Sequence, residues 1–259
     1  MIRVVTTFSQ TGWLEYAQRF VETFNTFWPR EIELILYVDW ALPLAQRPVF
    51  GRSVTIRNLS DIPGHDDFIR ELSPHPLLNG RVPRECWKSK DIADGYSYRT
   101  DVIKFCHKVF CVWHAAHVDP TGTLLWIDAD VHTVRPVPVS LINDIMASCD
   151  VSYLGRDRAT SECGFLGFNL PAARPLIDTW HEYYVENKFA AEREWHDSYL
   201  FDCARERVQG LYKNIALPGA RGHVWVSSPL GPFTDHRKGE RKSLPSSPEW
   251  KAAYGDVSK

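Results

Sequence analysis

Two aspartates one residue apart, Asp128 and Asp130, close the apolar run Leu124-Leu125-Trp126-Ile127. The run reads as a buried strand, and the carboxylates fall where that strand must end. Alternate residues of a strand share a face, so both carboxylates are expected to point the same way with Ala129 turned between them. Two anions so placed repel unless a cation lies between them. Oxygen donors of this kind suit a hard divalent ion, Mg²⁺ or Mn²⁺, which also takes oxygens from a substrate's phosphates. A polar loop after a core strand is the plain alternative.

The run Asp235-His236-Arg237-Lys238-Gly239-Glu240-Arg241-Lys242 holds the complementary parts. His236 supplies an imidazole that would complete the metal site and tilt it toward Mn²⁺. Gly239 permits close backbone approach, and Lys242 or Arg241 would neutralise phosphate oxygens. Taken alone the run is a solvated charged face. A rival cluster lies on one helical face, where His107, Cys111 and His114 recur at i, i+4 and i+7 beside Cys106 and His117. Those donors suit zinc, but a single straight helix rarely closes a tetrahedral site, and Val112-Trp113 point to packing. Asp66-Asp67 after His65 reads as a solvated turn.

The elements that carry these residues are legible from periodicity. Ile2 to Phe8 is a first strand. Leu14, Ala17, Phe20, Val21, Phe24 and Phe27 recur at helical spacing up to Pro29, and Ile32–Val38 is a second strand ending at Asp39. Strand, helix and strand within forty residues form a βαβ unit, so the sheet begins parallel. Ser53–Leu59 predicts a third strand, and Ile62–Asp94, with four prolines, reads as short helices and loops. The longest helical pattern covers Tyr98–Val118 and feeds the Asp128 strand. Further strands are expected at Val151–Leu154 and Phe165–Asn169, and helices at Ala172–Val185 and His196–Arg205. The stretch from Leu217, rich in Gly, Pro, Ser and basic residues, is expected to wrap over the sheet. The class is α/β, with an open, mostly parallel mixed sheet flanked by helices. Ligands of such sheets bind outside the carboxyl ends of the strands, where Asp39, Asp128 and Asp130 fall.

Composition narrows the function classes. The 259 residues suffice for one sizeable core, and 30 Lys and Arg against 32 Asp and Glu leave a net charge of −2. No broad basic field for duplex nucleic acid is implied. Six cysteines without a C-x-x-C pair fit reduced thiols in a cytosolic compartment. The apolar run Met1–Phe8 is too short for a signal peptide, and no stretch approaches the ~20 apolar residues of a membrane span. The sequence thus reads as that of a soluble, cytoplasmic protein.

An Asp-x-Asp closing a strand, followed much later by His-x-x-Gly-x-x-Lys, resembles the GT-A-fold nucleotide-sugar transferases of the glycogenin and lipopolysaccharide galactosyltransferase type. Tyr98-Arg99 lies where that family carries an arginine near the sugar donor. Gly164-Phe165-Leu166-Gly167-Phe168-Asn169 is similar to its glycine-containing strand, with Cys163 in place of a leading Asn. Trp195-His196-Asp197 opens a helix as the family's acidic motif does, with Ser198 and no Gln beside the Asp. The Pro-Trp that follows the family's last lysine is absent, since Ser243-Leu244 follow Lys242.

The resemblance implies one GT-A-like, Rossmann-like domain over residues 1–242 and a tail over 243–259. It implies Asp128, Asp130 and His236 as ligands of Mn²⁺ or Mg²⁺, with Asp130 the more direct. Thr6, Thr7, Phe8 and Asp39 would hold the nucleotide base and ribose, while Asp128, Gly239 and Lys242 would face the diphosphate. Arg99 would contact the donor's sugar or phosphate, and Asp101 would do the same or, as its residue type favours, cap the helix. Asp197 and Glu162 would compete for the place near the anomeric carbon, with retention of configuration favoured. The implied activity is metal-dependent transfer of a hexosyl or pentosyl group from a nucleotide sugar, a UDP-sugar being expected. The acceptor stays open among a glycan, a lipid-linked glycan, a protein side chain and a modified nucleobase. Two other readings compete. A nucleotidyltransferase making an activated sugar usually has a Gly-rich basic loop after the first strand, whereas Ser9-Gln10-Thr11-Gly12 has neither Lys nor Arg. A non-catalytic module that binds a nucleotide sugar or a carbohydrate would not need all three metal ligands.

Overall fold

The computed structural model describes residues 1–40, 54–83 and 95–255. Ser53, the expected start of the third strand, and Cys86 lie outside the described residues. Among the described residues, seven strands form the central sheet: β1 (Ile2–Thr7), β2 (Glu33–Val38), β3 (Val54–Asn58), and, after two strands of a separate ribbon, β6 (Gly122–Ile127), β8 (Val151–Arg156), β9 (Ala159–Leu170) and β10 (Tyr212–Asn214). That ribbon pairs β4 (Asn79–Arg81) with β5 (Tyr96–Asp101), and a second pairs β7 (Val131–Thr133) with β11 (Thr234–His236). The sheet order is β10-β8-β9-β6-β1-β2-β3, and β9 alone runs against its neighbours. The expected mostly parallel mixed sheet is what forms.

Alternation along the strands divides the core into two layers. Val5, Tyr37, Leu124 and Trp126 face helices Val102–Val118, Arg174–Val185 and Asp197–Arg207. Val4, Leu36, Leu125 and Ile127 face the helix that ends at Phe27 and the helix Val139–Met146. The first of these begins at Gln10, passes through a π-helical turn at Trp13–Ala17 and continues as Gln18–Phe27. Ser9 starts it by accepting a hydrogen bond from the Gly12 amide.

Three local expectations need correction. β6 stops at Ile127, and Asp128–Asp130 form a turn closed by a Val131 amide to Asp128 carbonyl bond of 3.0 Å, so the aspartates are not strand residues. Residues Tyr98–Asp101 belong to β5, because pairing with β4 holds them extended. The helix begins only at Val102, with Asp101 accepting from the Lys104 amide as the expected cap. Asp66 and Asp67 occupy the first turn of helix His65–Leu72, where carboxylates complement the helix dipole, and do not form a free turn.

The C-terminal stretch returns to the body. β11 pairs antiparallel with β7, and buried Asp235 accepts from both the amide and the hydroxyl of Ser247. Helix Pro248–Tyr254 then buries Trp250, whose indole N–H donates to the Gly231 carbonyl. Residues 243–255 therefore pack against the sheet-bearing body.

Candidate active site

The β7–β11 ribbon assembles the acidic centre. Its register places His236 opposite Val131, one residue beyond Asp130, and the Arg237 amide donates to the Asp130 carbonyl at 3.1 Å. The His236 ring is fully buried, packed edge-on against Trp225 at 4.9 Å between centroids. Its Nε2 stands 3.0 Å from Asp130 Oδ1 and 3.7 Å from Asp128 Oδ2. One donor atom from each of the three residues lies within 4.8 Å of the others.

Asp130 Oδ1 and His236 Nε2 are both buried and meet as an ion pair at 3.0 Å, without the alignment of a good hydrogen bond. Buried polar atoms left this way demand a partner. Two carboxylates and an imidazole that converge on one point fit a divalent cation with open positions for substrate oxygens. Burial by itself would raise the Asp130 pKa. Attraction to His236, followed by Lys242 and Lys238, outweighs it and holds the carboxyl well below its usual range.

Cations surround this centre. Lys108, on the buried face of helix Val102–Val118, lies 3.0 Å from Asp128 Oδ1 and 2.5 Å from Asp197 Oδ2, and donates to the Cys163 carbonyl at 2.7 Å. Burial would lower its pKa, but the two carboxylates raise it far above the ordinary lysine value. Asp197 is 3% exposed at the start of its helix, and Lys108 and His196 hold it ionised against the desolvation cost. Glu162, also 3% exposed, pairs with Arg156 and Lys238. Burial would raise its pKa, yet Lys238, His236 and Arg156 draw it down to about 2. Lys242 Nζ stands 3.3 Å from Asp130 Oδ2 and 4.0 Å above the Tyr16 ring. Burial, then Asp130 and Asp128, push the Tyr16 hydroxyl up to about 12. Gly239, with φ +57°, turns the chain between the two lysines.

These groups open onto a cavity of about 570 Å³ that continues over the ends of β1 and β2. The structure brings together on its wall Thr7, Phe8, Asp39, Asp128, Asp130 and His236, with Gly239 and Lys242. Phe8 is braced by stacking on Trp13 at 5.6 Å. Asp197 and Glu162 do not line it and connect to it through Lys108 and Lys238. Thr6 is fully buried within β1 and is not on the wall. Arg99, on β5, pairs with Glu194 at 3.3 Å and is not on the wall either. Arg241 turns away to Glu249. His107, Cys111 and His114 do not converge: His114 Nδ1 bonds the Tyr37 hydroxyl at 2.7 Å, while His107 meets His65.

Lys108 and Tyr16 are the site residues that pattern reading passes over. For Lys108 a signal exists, because it is the charge inside Cys106-His107-Lys108-Val109-Phe110-Cys111-Val112, and a lysine on a buried face must be paired. Tyr16 carries no comparable mark.

No protein-family model matches the chain, and no curated protein matches it. Among solved structures it is similar to mouse xyloside xylosyltransferase 1 in the apo form, at 10% identity and a TM-score of 0.47 over 83% of this chain and 85% of that one. It is also similar to the glycosyltransferase GlyE of Streptococcus pneumoniae TIGR4, at 9% identity and 0.46, over 83% of this chain but only 45% of that one. With TM-scores below 0.5, these likenesses set no residue's role here.

Proposed function

We propose that the protein is a divalent-metal-dependent glycosyltransferase that takes a sugar from a nucleotide sugar, a UDP-sugar by preference. The observation that carries this reading is the convergence of donor atoms from Asp128, Asp130 and buried His236 within 4.8 Å of one another, at the edge of a cavity also walled by Lys238 and Lys242. Asp128, Asp130 and His236 would hold Mn²⁺ or Mg²⁺, and the bound ion would supply positive charge to the departing diphosphate. The imidazole ligand favours Mn²⁺.

The chain's own groups do the rest. Lys242 and Lys238 offer ammonium donors to phosphate oxygens, where negative charge grows as the glycosidic bond breaks. Thr7, Phe8 and Asp39 supply a hydroxyl, an aromatic face and a carboxylate to the nucleoside. Lys108 pairs with both Asp128 and Asp197 and fixes them in place. Glu162 and Asp197 are each committed to a lysine partner and neither lines the cavity where an acceptor hydroxyl would need a base, which favours retention over inversion.

The test is release of UDP from a panel of UDP-sugars with Mn²⁺, with Mg²⁺ and with a chelator. The reading expects turnover that chelation abolishes and that Asp130→Ala and His236→Ala lose. Full turnover in chelator would sink metal dependence. Nucleotide binding without turnover, or pyrophosphate release from a nucleoside triphosphate and a sugar phosphate, would favour the competing readings.

A further inference from the structure

A second group of donors, softer than the first, lies where two helices meet. Helix Val102–Val118 contributes Cys106 and His107, and His65 opens helix His65–Leu72 against them. One donor atom from each of the three lies within 4.8 Å of the others. His65 Nε2 approaches His107 Nδ1 to 2.9 Å. Cys106 is fully buried and His65 nearly so, walled by the Phe110 ring edge-on to His65 at 5.3 Å. His107 also lines the central cavity. The other imidazole nitrogen of His65 meets Asp66 Oδ1 at 3.2 Å.

The geometry points to a zinc site formed by His65 Nε2, His107 Nδ1 and Cys106 Sγ, separate from the acidic centre and independent of its function. A thiolate with two imidazoles selects zinc over Mg²⁺ or Mn²⁺. Three protein ligands leave a fourth tetrahedral position for water. Zinc–nitrogen bonds of about 2.0–2.1 Å place two tetrahedral nitrogens about 3.3 Å apart, so the imidazoles need part by only a few tenths of an ångström. Asp66 supplies the carboxylate that zinc-binding imidazoles commonly hold through their other nitrogen. It keeps the His65 proton on Nδ1, so in the metal-free pair the His107 Nδ1–H donates to His65 Nε2. On binding, His107 carries its proton on Nε2 instead and the Cys106 thiol releases one proton to solvent. The ion then clamps helix His65–Leu72 to the helix that carries Lys108, one residue beyond His107.

Cobalt(II) is the probe, because its thiolate charge-transfer absorption in the near ultraviolet marks a cysteine ligand that the Asp128–Asp130–His236 centre lacks. The chelator-treated full chain should develop this band with one equivalent of Co²⁺ and lose it to one equivalent of Zn²⁺. Asp130→Asn and Cys111→Ser should keep the band, Cys106→Ser should abolish it, and His65→Gln should weaken cobalt binding by about tenfold or more. No thiolate band in the unmodified chain, or a full band in Cys106→Ser, overturns the site. Should Cys106→Ser fail to fold, unchanged cobalt affinity in folded His65→Gln overturns it equally.

Discussion

Gly164 lies beside the His236 imidazole with no room for a side chain: a Cβ there would overlap Cε1 and come within 2.8 Å of Nδ1. The antiparallel strand β9 thus supports the ring that the β7–β11 ribbon delivers. Gly164→Ala should push His236 off its position and lower Mn²⁺ affinity by about tenfold or more, the size of effect that outer-shell changes produce. Titrating Mn²⁺ against melting temperature and UDP release reads this directly. An unaltered midpoint would mean that His236 is not a ligand.

Lys108 joins Asp128 to Asp197 inside the protein. Lys108→Met leaves Asp197 buried without its cation, and breaking such a pair costs about 3–5 kcal/mol. Urea unfolding measures the loss. Adding Asp197→Asn should recover part of it, because the two residues are coupled. Strict additivity would show that the lysine stabilises the fold some other way.

Lys242 contrasts with Lys108, being part-exposed at 31% and paired with Asp130 at the cavity edge. Such an ion pair adds little stability, so Lys242→Met should leave the unfolding midpoint nearly unchanged. A charge-assisted bond to phosphate is worth roughly tenfold in affinity or more. The variant should therefore bind UDP about tenfold more weakly by calorimetry, and equal affinity would remove Lys242 from the diphosphate site.

His181 makes stability depend on pH. It stacks on Trp113 at 4.3 Å, with Phe110 edge-on at 4.7 Å, and burial draws its pKa from 6.5 to about 4. Between those values the unfolded chain binds a proton that the folded one refuses, so stability falls as pH drops from 6.5 toward 4. Above 6.5 this group contributes no slope. Urea midpoints across that interval should decline less steeply in His181→Leu than in the unmodified chain, and identical slopes would refute the assignment.

Much of this protein is legible in its residues. The near-continuous apolar runs in Ile2–Thr7, Glu33–Val38 and Leu124–Ile127 specify strands whose two faces both need cover. The helical period through Phe27 and through Val118 specifies what covers them, and short βα connections make the sheet parallel. Asp128, Asp130, His236 and Lys242 are the residue types that the proposed metal and phosphate centre needs, although each motif taken alone reads as a polar loop or a solvated charged face.

Tertiary structure decided how these groups meet. A three-residue turn, not strand alternation, aims the two aspartates, and the pairing of β11 with β7 places His236 against them from the far end of the chain. Long-range pairing depends on which edges remain free once the sheet has formed, and local periodicity does not carry that information. The same holds for Lys108, whose partner Asp197 lies on another helix, and for His107, which finds His65 in place of Cys111 and His114. Residue type states which partners a group requires, and only packing determines which partner is within reach.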